Sequence, residues 1–136
     1  MKQHEQASIY LRKAAEDEAL LDEVLDSPRV SDAVIGFHCQ QAAEKLLKAL
    51  LSYLGVKFRK THDLRELMDL LEDRGCSLPE YLNDLDELTP YAVELRYDFF
   101  LWEAEFSLDR LSARGVIRKL RIWVQQKIGQ SPTGDP

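Results

Sequence analysis

Four side chains able to donate hydrogen bonds or carry positive charge recur along one stretch of the chain: His38, Gln41, Lys45 and Lys48. On a helix, their spacings of three, four and three residues place them in a single column. Ile35, Cys39, Ala42, Ala43, Leu46, Ala49, Leu50 and Tyr53 gather on the other side, and Glu44 flanks the column. Two ammonium groups, an imidazole and an amide suit a phosphate or another anion. At about 1.5 Å of rise per residue the column spans roughly 15 Å, the reach of a nucleotide triphosphate or a short oligonucleotide. The competing reading is an ordinary solvated face. Phe37 beside the column weighs against it, since a large ring there implies cover.

His62, Tyr91, Arg96 and Tyr97, which a family resemblance singles out below, would complete such a site. The expected arrangement is a groove floored by the column. Its far wall is the segment from Tyr91 to Tyr97, Arg96 faces in, and His62 lies near one end. Each residue has a plainer role as well. His62 suits a local contact at a helix start, Arg96 a pairing with Glu94 or Asp98, and the two tyrosines core packing. Cys39 falls on the apolar side and reads as a small buried hydrophobe. A second basic feature is Arg110, Arg114, Arg118 and Arg121, again one helical stripe, with Lys119 and Lys127 nearby. Pairing with the acid-rich stretch 63–109, or with a partner, is the expected use of that stripe. Contact with RNA or a nucleotide phosphate is the sharper alternative.

Helices are the elements that must position these residues. Residues 3–25 carry Ala7, Tyr10, Leu11, Ala14, Leu21 and Leu25 as one apolar stripe, closed by Ser27-Pro28. A second helix spans about 32–54, with Ser31 as N-cap and Gly55 just past its end. Thr61 is expected to cap a third helix that buries Leu64, Leu67, Met68 and Leu71 and ends at Gly75. Ser77-Leu78-Pro79-Glu80 reads as a capping box opening a fourth helix, which Pro90 kinks or restarts with Thr89 as cap. Ser107 is expected to open a last helix running to about residue 128. Residues 1–129 thus form an all-α, antiparallel up-and-down four-helix bundle with an additional C-terminal helix, and 130–136 a frayed, disordered tail.

Composition narrows the classes further. The chain has 136 residues, 45% hydrophobic and 31% charged, which suits one globular domain. Its net charge of -6 disfavours bulk nucleic-acid binding, and RNA is therefore not the favoured ligand. Two cysteines make no disulfide framework, and no Cys/His spacing resembles a metal site. No apolar run is long enough for a membrane span, and the polar start is no signal peptide, so a cytoplasmic location is expected.

The segment Phe37-His38-Cys39-Gln40-Gln41-Ala42-Ala43-Glu44-Lys45-Leu46-Leu47-Lys48-Ala49-Leu50-Leu51 resembles the signature helix of the HEPN domains. Thr61-His62-Asp63-Leu64 resembles the step that follows in that family, and Tyr91 with Arg96-Tyr97 its third landmark. The three cover about residues 35–100. Many HEPN domains are metal-independent ribonucleases whose site sets a histidine a few residues after an arginine. Here Arg96 is followed by Tyr97, Asp98, Phe99, Phe100, Leu101 and Trp102, and the three histidines are His4, His38 and His62. The resemblance therefore implies the other common class, a helical subunit that binds nucleotide or substrate beside a separate small nucleotidyltransferase in a toxin–antitoxin-like pair. It would be non-catalytic and need no cofactor. The alternatives are a ribonuclease toxin with an atypical site built on Arg96 with His62 or His38, and a structural interaction module. A homodimer is expected from the aromatic stretch Phe99, Phe100, Leu101, Trp102 and Phe106, and the resemblance points the same way.

Overall fold

A computed structural model of the chain describes residues 2–92 and 107–129, and these are helical without a strand among them. The α-helices are α1 (Lys2–Val24), α2 (Asp32–Tyr53), α3 (Leu64–Asp73) and α4 (Arg110–Gly129); 3-10 segments at Glu80–Leu82 and Leu85–Tyr91 lie between α3 and α4. The all-helical bundle with its C-terminal helix is the expected one.

The central element is α2, which packs against α1, α3, α4 and the second 3-10 segment. Its sequence dictates this position, because small and branched apolar residues cover most of its circumference. Ile35, Cys39, Ala42, Ala43, Leu46, Leu47, Leu50 and Leu51 are all fully buried. Ser31 caps the helix by accepting from the Val34 N–H. Past the C-terminus, Gly55 adopts a φ of 73°, and the Val56 N–H reaches the Leu51 carbonyl at 2.9 Å. Gly75 (φ 84°) closes α3 in the same way, with the Cys76 N–H on the Leu71 carbonyl.

Three caps differ from expectation. At α3, Asp63 rather than Thr61 accepts from the first turn, taking the Arg65 N–H, while the Thr61 hydroxyl accepts from the Asp63 N–H. At α4, the Asp109 carboxylate accepts from the Ser112 N–H, so the helix begins at Arg110 and not at Ser107. Over residues 80–91 two short 3-10 segments stand where the first part of the expected fourth α-helix was to run, and the expected continuation past residue 92 lies outside the described residues. No side chain caps either segment, and Pro90, lacking an N–H, lies inside the second. The Thr89 hydroxyl accepts from the Leu64 N–H and ties this segment to the start of α3. Arg96, Tyr97, the aromatic stretch 99–106 on which the homodimer expectation rests, and the tail 130–136 lie outside the described residues.

Candidate binding site

The column on α2 faces α1, and what it meets there is acid. From Ala14, steps of three, four and seven residues along α1 reach Asp17, Glu18 and Leu21, all three buried. Two carboxylates thus occupy positions where the apolar stripe would otherwise continue. Asp17 takes two members of the column, His38 and Lys45. Lys45 Nζ donates to its Oδ2 at 2.6 Å, and His38 Nδ1 lies 2.9 Å from its Oδ1.

Glu44 organises a second group one turn further round α2. Its Oε2 accepts from Lys48 Nζ at 2.7 Å, and its Oε1 is 2.6 Å from His62 Nδ1 and 3.1 Å from Gln40 Nε2. The same Gln40 amide donates to the His62 carbonyl, and Gln41 Nε2 donates to Gln40 Oε1. Burial pushes the Glu44 carboxyl upward. The hydrogen bonds from Lys48, His62 and Gln40, with the Lys48 charge, outweigh that and hold it below its ordinary value. His62 therefore does more than contact its own helix start: its ring joins the loop before α3 to the buried acid of α2.

The two ammonium groups read as suited to an outside anion thus each already hold a carboxylate. With both imidazoles neutral, Asp17 and Glu44 balance Lys45 and Lys48. The column is neither a solvated face nor a bare cationic floor but a paired network inside the α1–α2 contact. Three of its members still reach the surface: the side chains of His38, Lys45 and His62 are 23%, 26% and 29% exposed. Lys48 is buried on Glu44, with its ammonium 5.6 Å from the centre of the Phe58 ring. Phe37 meets His38 edge-on at 5.0 Å between ring centroids.

Tyr91 stands apart from this group. It is buried against Gly36, where a Cβ would come within 2.2 Å of Tyr91 Cδ1. At about 100° per residue, Gly36 and His38 point to nearly opposite sides of α2, so Tyr91 does not form the far wall of the column. Burial first, then Asp32 and Cys39, raise the Tyr91 hydroxyl above its ordinary value. Cys39 is fully buried and its thiol is pushed up to about 12 by burial, which leaves no thiolate for chemistry.

Among the described residues, the arginine stripe of α4 is also spent internally, on acids of α1 and on Asp32 rather than on the acid-rich stretch 63–109. Arg114 donates to Asp22 Oδ1 at 2.6 Å and to Glu18 Oε1 at 3.1 Å, and Arg121 also donates to Glu18 Oε1. Arg110 bonds Asp32 and the carbonyls of Leu25, Ser27 and Val30, stitching the α1–α2 loop to α4. Arg118 is the outermost, 4.0 Å from Asp22. Among the described residues no cluster of three or more His, Cys, Asp or Glu is placed to hold a metal ion. No helix among them is long and apolar enough to cross a membrane.

Residues 7–123 match the family model described as HEPN domain, most of the chain's length. The chain belongs to the HEPN family. No curated protein and no solved structure matches it. Within this HEPN domain the family segment on α2 supplies both halves of the network, the column and Glu44, while Asp17 comes from α1. The column alone was visible from helical spacing. Asp17 and Glu18 had a signal too, the seven-residue gap between Ala14 and Leu21 in the apolar stripe, filled by acids.

Proposed function

We propose that this HEPN domain is a non-catalytic nucleotide- or substrate-binding subunit that works beside a separate small nucleotidyltransferase, in a toxin–antitoxin-like pair. The observation that carries the reading is the set of partly exposed side chains His38, Lys45 and His62, each anchored on a buried carboxylate, Asp17 for the first two and Glu44 for the third. A donor held by a buried partner loses little freedom on meeting a ligand, which favours binding. Lys45 keeps ammonium hydrogens beyond its bond to Asp17, which leaves it able to donate to a ligand as well. Gln41, half-buried on the same side, adds an amide. Arg96 and Tyr97 are proposed to contribute from the neighbouring segment, and Lys48 to act from beneath by fixing Glu44. Tyr91, packed on Gly36, supports the fold under this reading instead of stacking on the ligand.

Isothermal titration with ATP and other nucleotides tests the binding half, with the chain alone and with the nucleotidyltransferase. Lys45→Ala and Gln41→Ala are the informative variants, since both side chains are only partly buried. Saturable binding weakened by both supports the proposal. No binding in either setting, or binding indifferent to both substitutions, rejects it.

A second reading rests on His38. A histidine whose Nδ1 is held by a carboxylate is the form a general base takes, with Nε2 as the working nitrogen. Metal-free cleavage of a mixed RNA substrate, abolished in His38→Ala, would put a ribonuclease in place of the binding subunit. Intact RNA across a range of pH removes that reading.

A further inference from the structure

A cavity lies at the other end of the α1–α2 pair, where α1 begins and α2 finishes. It has a volume of about 460 Å³, within the usual range for a small-molecule site, and Lys2, Gln6, Ser52, Lys57 and Phe58 are among its walls. Ser52 is the informative one. It is 96% buried (4% exposed), and its hydroxyl has no hydrogen-bond partner among the described residues. Buried hydroxyls rarely go unpartnered, and this one belongs to a cavity wall.

The rest of the wall has one sign. Lys2 and Lys57 enter no ion pair among the described residues, and no carboxylate lines the cavity. Gln3 anchors the floor, its Nε2 donating to the Tyr53 carbonyl. The tight turn at Gly55 brings the chain back so that Val56, Lys57 and Phe58 close the side. The Phe58 ring is held by Tyr10 at 6.3 Å between centroids and by the Lys48 ammonium, which gives the cavity a fixed apolar wall.

We propose that this cavity binds the phosphate group of a small phosphate monoester. Ser52 Oγ and the Gln6 amide donate to phosphoryl oxygens, Lys2 and Lys57 neutralise their charge, and Phe58 with Val56 packs against the organic remainder. An acid-free set of hydroxyl, amide and two ammonium donors matches a dianion and no cation. The site uses neither His38 nor Lys45, and its link to the column is the Lys48 ammonium against the Phe58 ring.

Titration calorimetry on the full chain with inorganic phosphate, AMP and adenosine provides the test. Ser52→Ala, Lys57→Ala and Lys45→Ala are compared with the parent chain. Phosphate and AMP should bind saturably and adenosine should not. Lys57→Ala should weaken binding by about tenfold, the loss of one charge-assisted contact. Ser52→Ala should also weaken it while leaving the ligand-free melting temperature in place, because its hydroxyl holds no bond to lose. Lys45→Ala should leave it unchanged, which separates this cavity from the column. Absence of saturable phosphate and AMP binding, adenosine binding as tightly as AMP, or binding that survives either Ser52→Ala or Lys57→Ala unchanged would overturn the proposal. So would loss in Lys45→Ala alone.

Discussion

Replacing Glu44 with Gln keeps the shape of the side chain and removes the charge on which Lys48, His62 and Gln40 converge. The carboxylate is 7% exposed and the Lys48 side chain 10%, so water screens the pair poorly. Removing one partner of a buried pair leaves the other charge without compensation and costs about 3 kcal/mol. That is a large part of the roughly 5–15 kcal/mol that holds a domain together. For a chain of this size it corresponds to a fall in melting temperature of about 10 °C. Denaturant unfolding at neutral pH, followed by circular dichroism, measures it. The pH dependence carries a second signature. Because the folded carboxyl lies below its ordinary value of 4.5, its contribution is present above that pH and is lost as pH falls through the lower, folded value. The parent chain should therefore lose stability on acidification below about pH 4.5, and Glu44→Gln should lose less over the same window. A destabilisation under about 1 kcal/mol, the range of an exposed ion pair, would refute the buried assignment. So would parallel acid curves.

Gly36→Ala should cost about 1–3 kcal/mol in unfolding free energy, because the new methyl meets the Tyr91 ring at 2.2 Å; Tyr91→Ala in the same chain should recover part of it. Arg114→Met should destabilise by about 3 kcal/mol in the same measurement, since Glu18 is left buried and short of a cation; an effect within 0.5 kcal/mol of zero (about the surface norm) would contradict that burial. Arg114 also holds the Asp22 carboxyl low through its hydrogen bond, so carboxyl NMR should show Asp22 titrating at higher pH in that variant. Cys39 should resist thiol reagents at pH 8 in the folded chain while the half-buried Cys76 reacts first; fast labelling of both before unfolding would count against the core assignment.

Helical periodicity in the sequence carried α1, α2, α3 and the long C-terminal helix, and the two glycine stops fell where the backbone turns left-handed. It failed where local signals competed. Ser77 and Glu80 have the spacing of a capping box, but Pro79 and Pro90 remove N–H donors on both sides, and the chain settles into 3-10 turns tied down by Thr89. Aspartates two residues on, Asp63 and Asp109, displaced the expected Thr61 and Ser107 caps, since either side chain can accept from the first turn and only the path of the loop decides.

The site was readable on one helix at a time. Spacing lines up His38, Gln41, Lys45 and Lys48, but it says nothing of what a second helix brings against them. Asp17 lies on α1, far from the column in sequence and inside the acidic run Glu16-Asp17-Glu18, so the column looked cationic although Asp17 and Glu44 pair with it. Glu44 was in plain view as a flanking residue. Its partners His62 and Lys48 come together only once the loop before α3 folds back over α2.

The reading of this HEPN domain as a nucleotide-binding subunit turns on whether ligand contacts the strip of His38, Lys45 and His62. The chain has three histidines, so the imidazole proton signals in NMR make a small and complete set of probes. During a titration with ATP, the signals assigned to His38 and His62 should shift saturably and together, and Lys45→Ala should weaken the response. If both stay in place at ATP concentrations that saturate any heat of binding, the ligand is held elsewhere and the proposed function is contradicted.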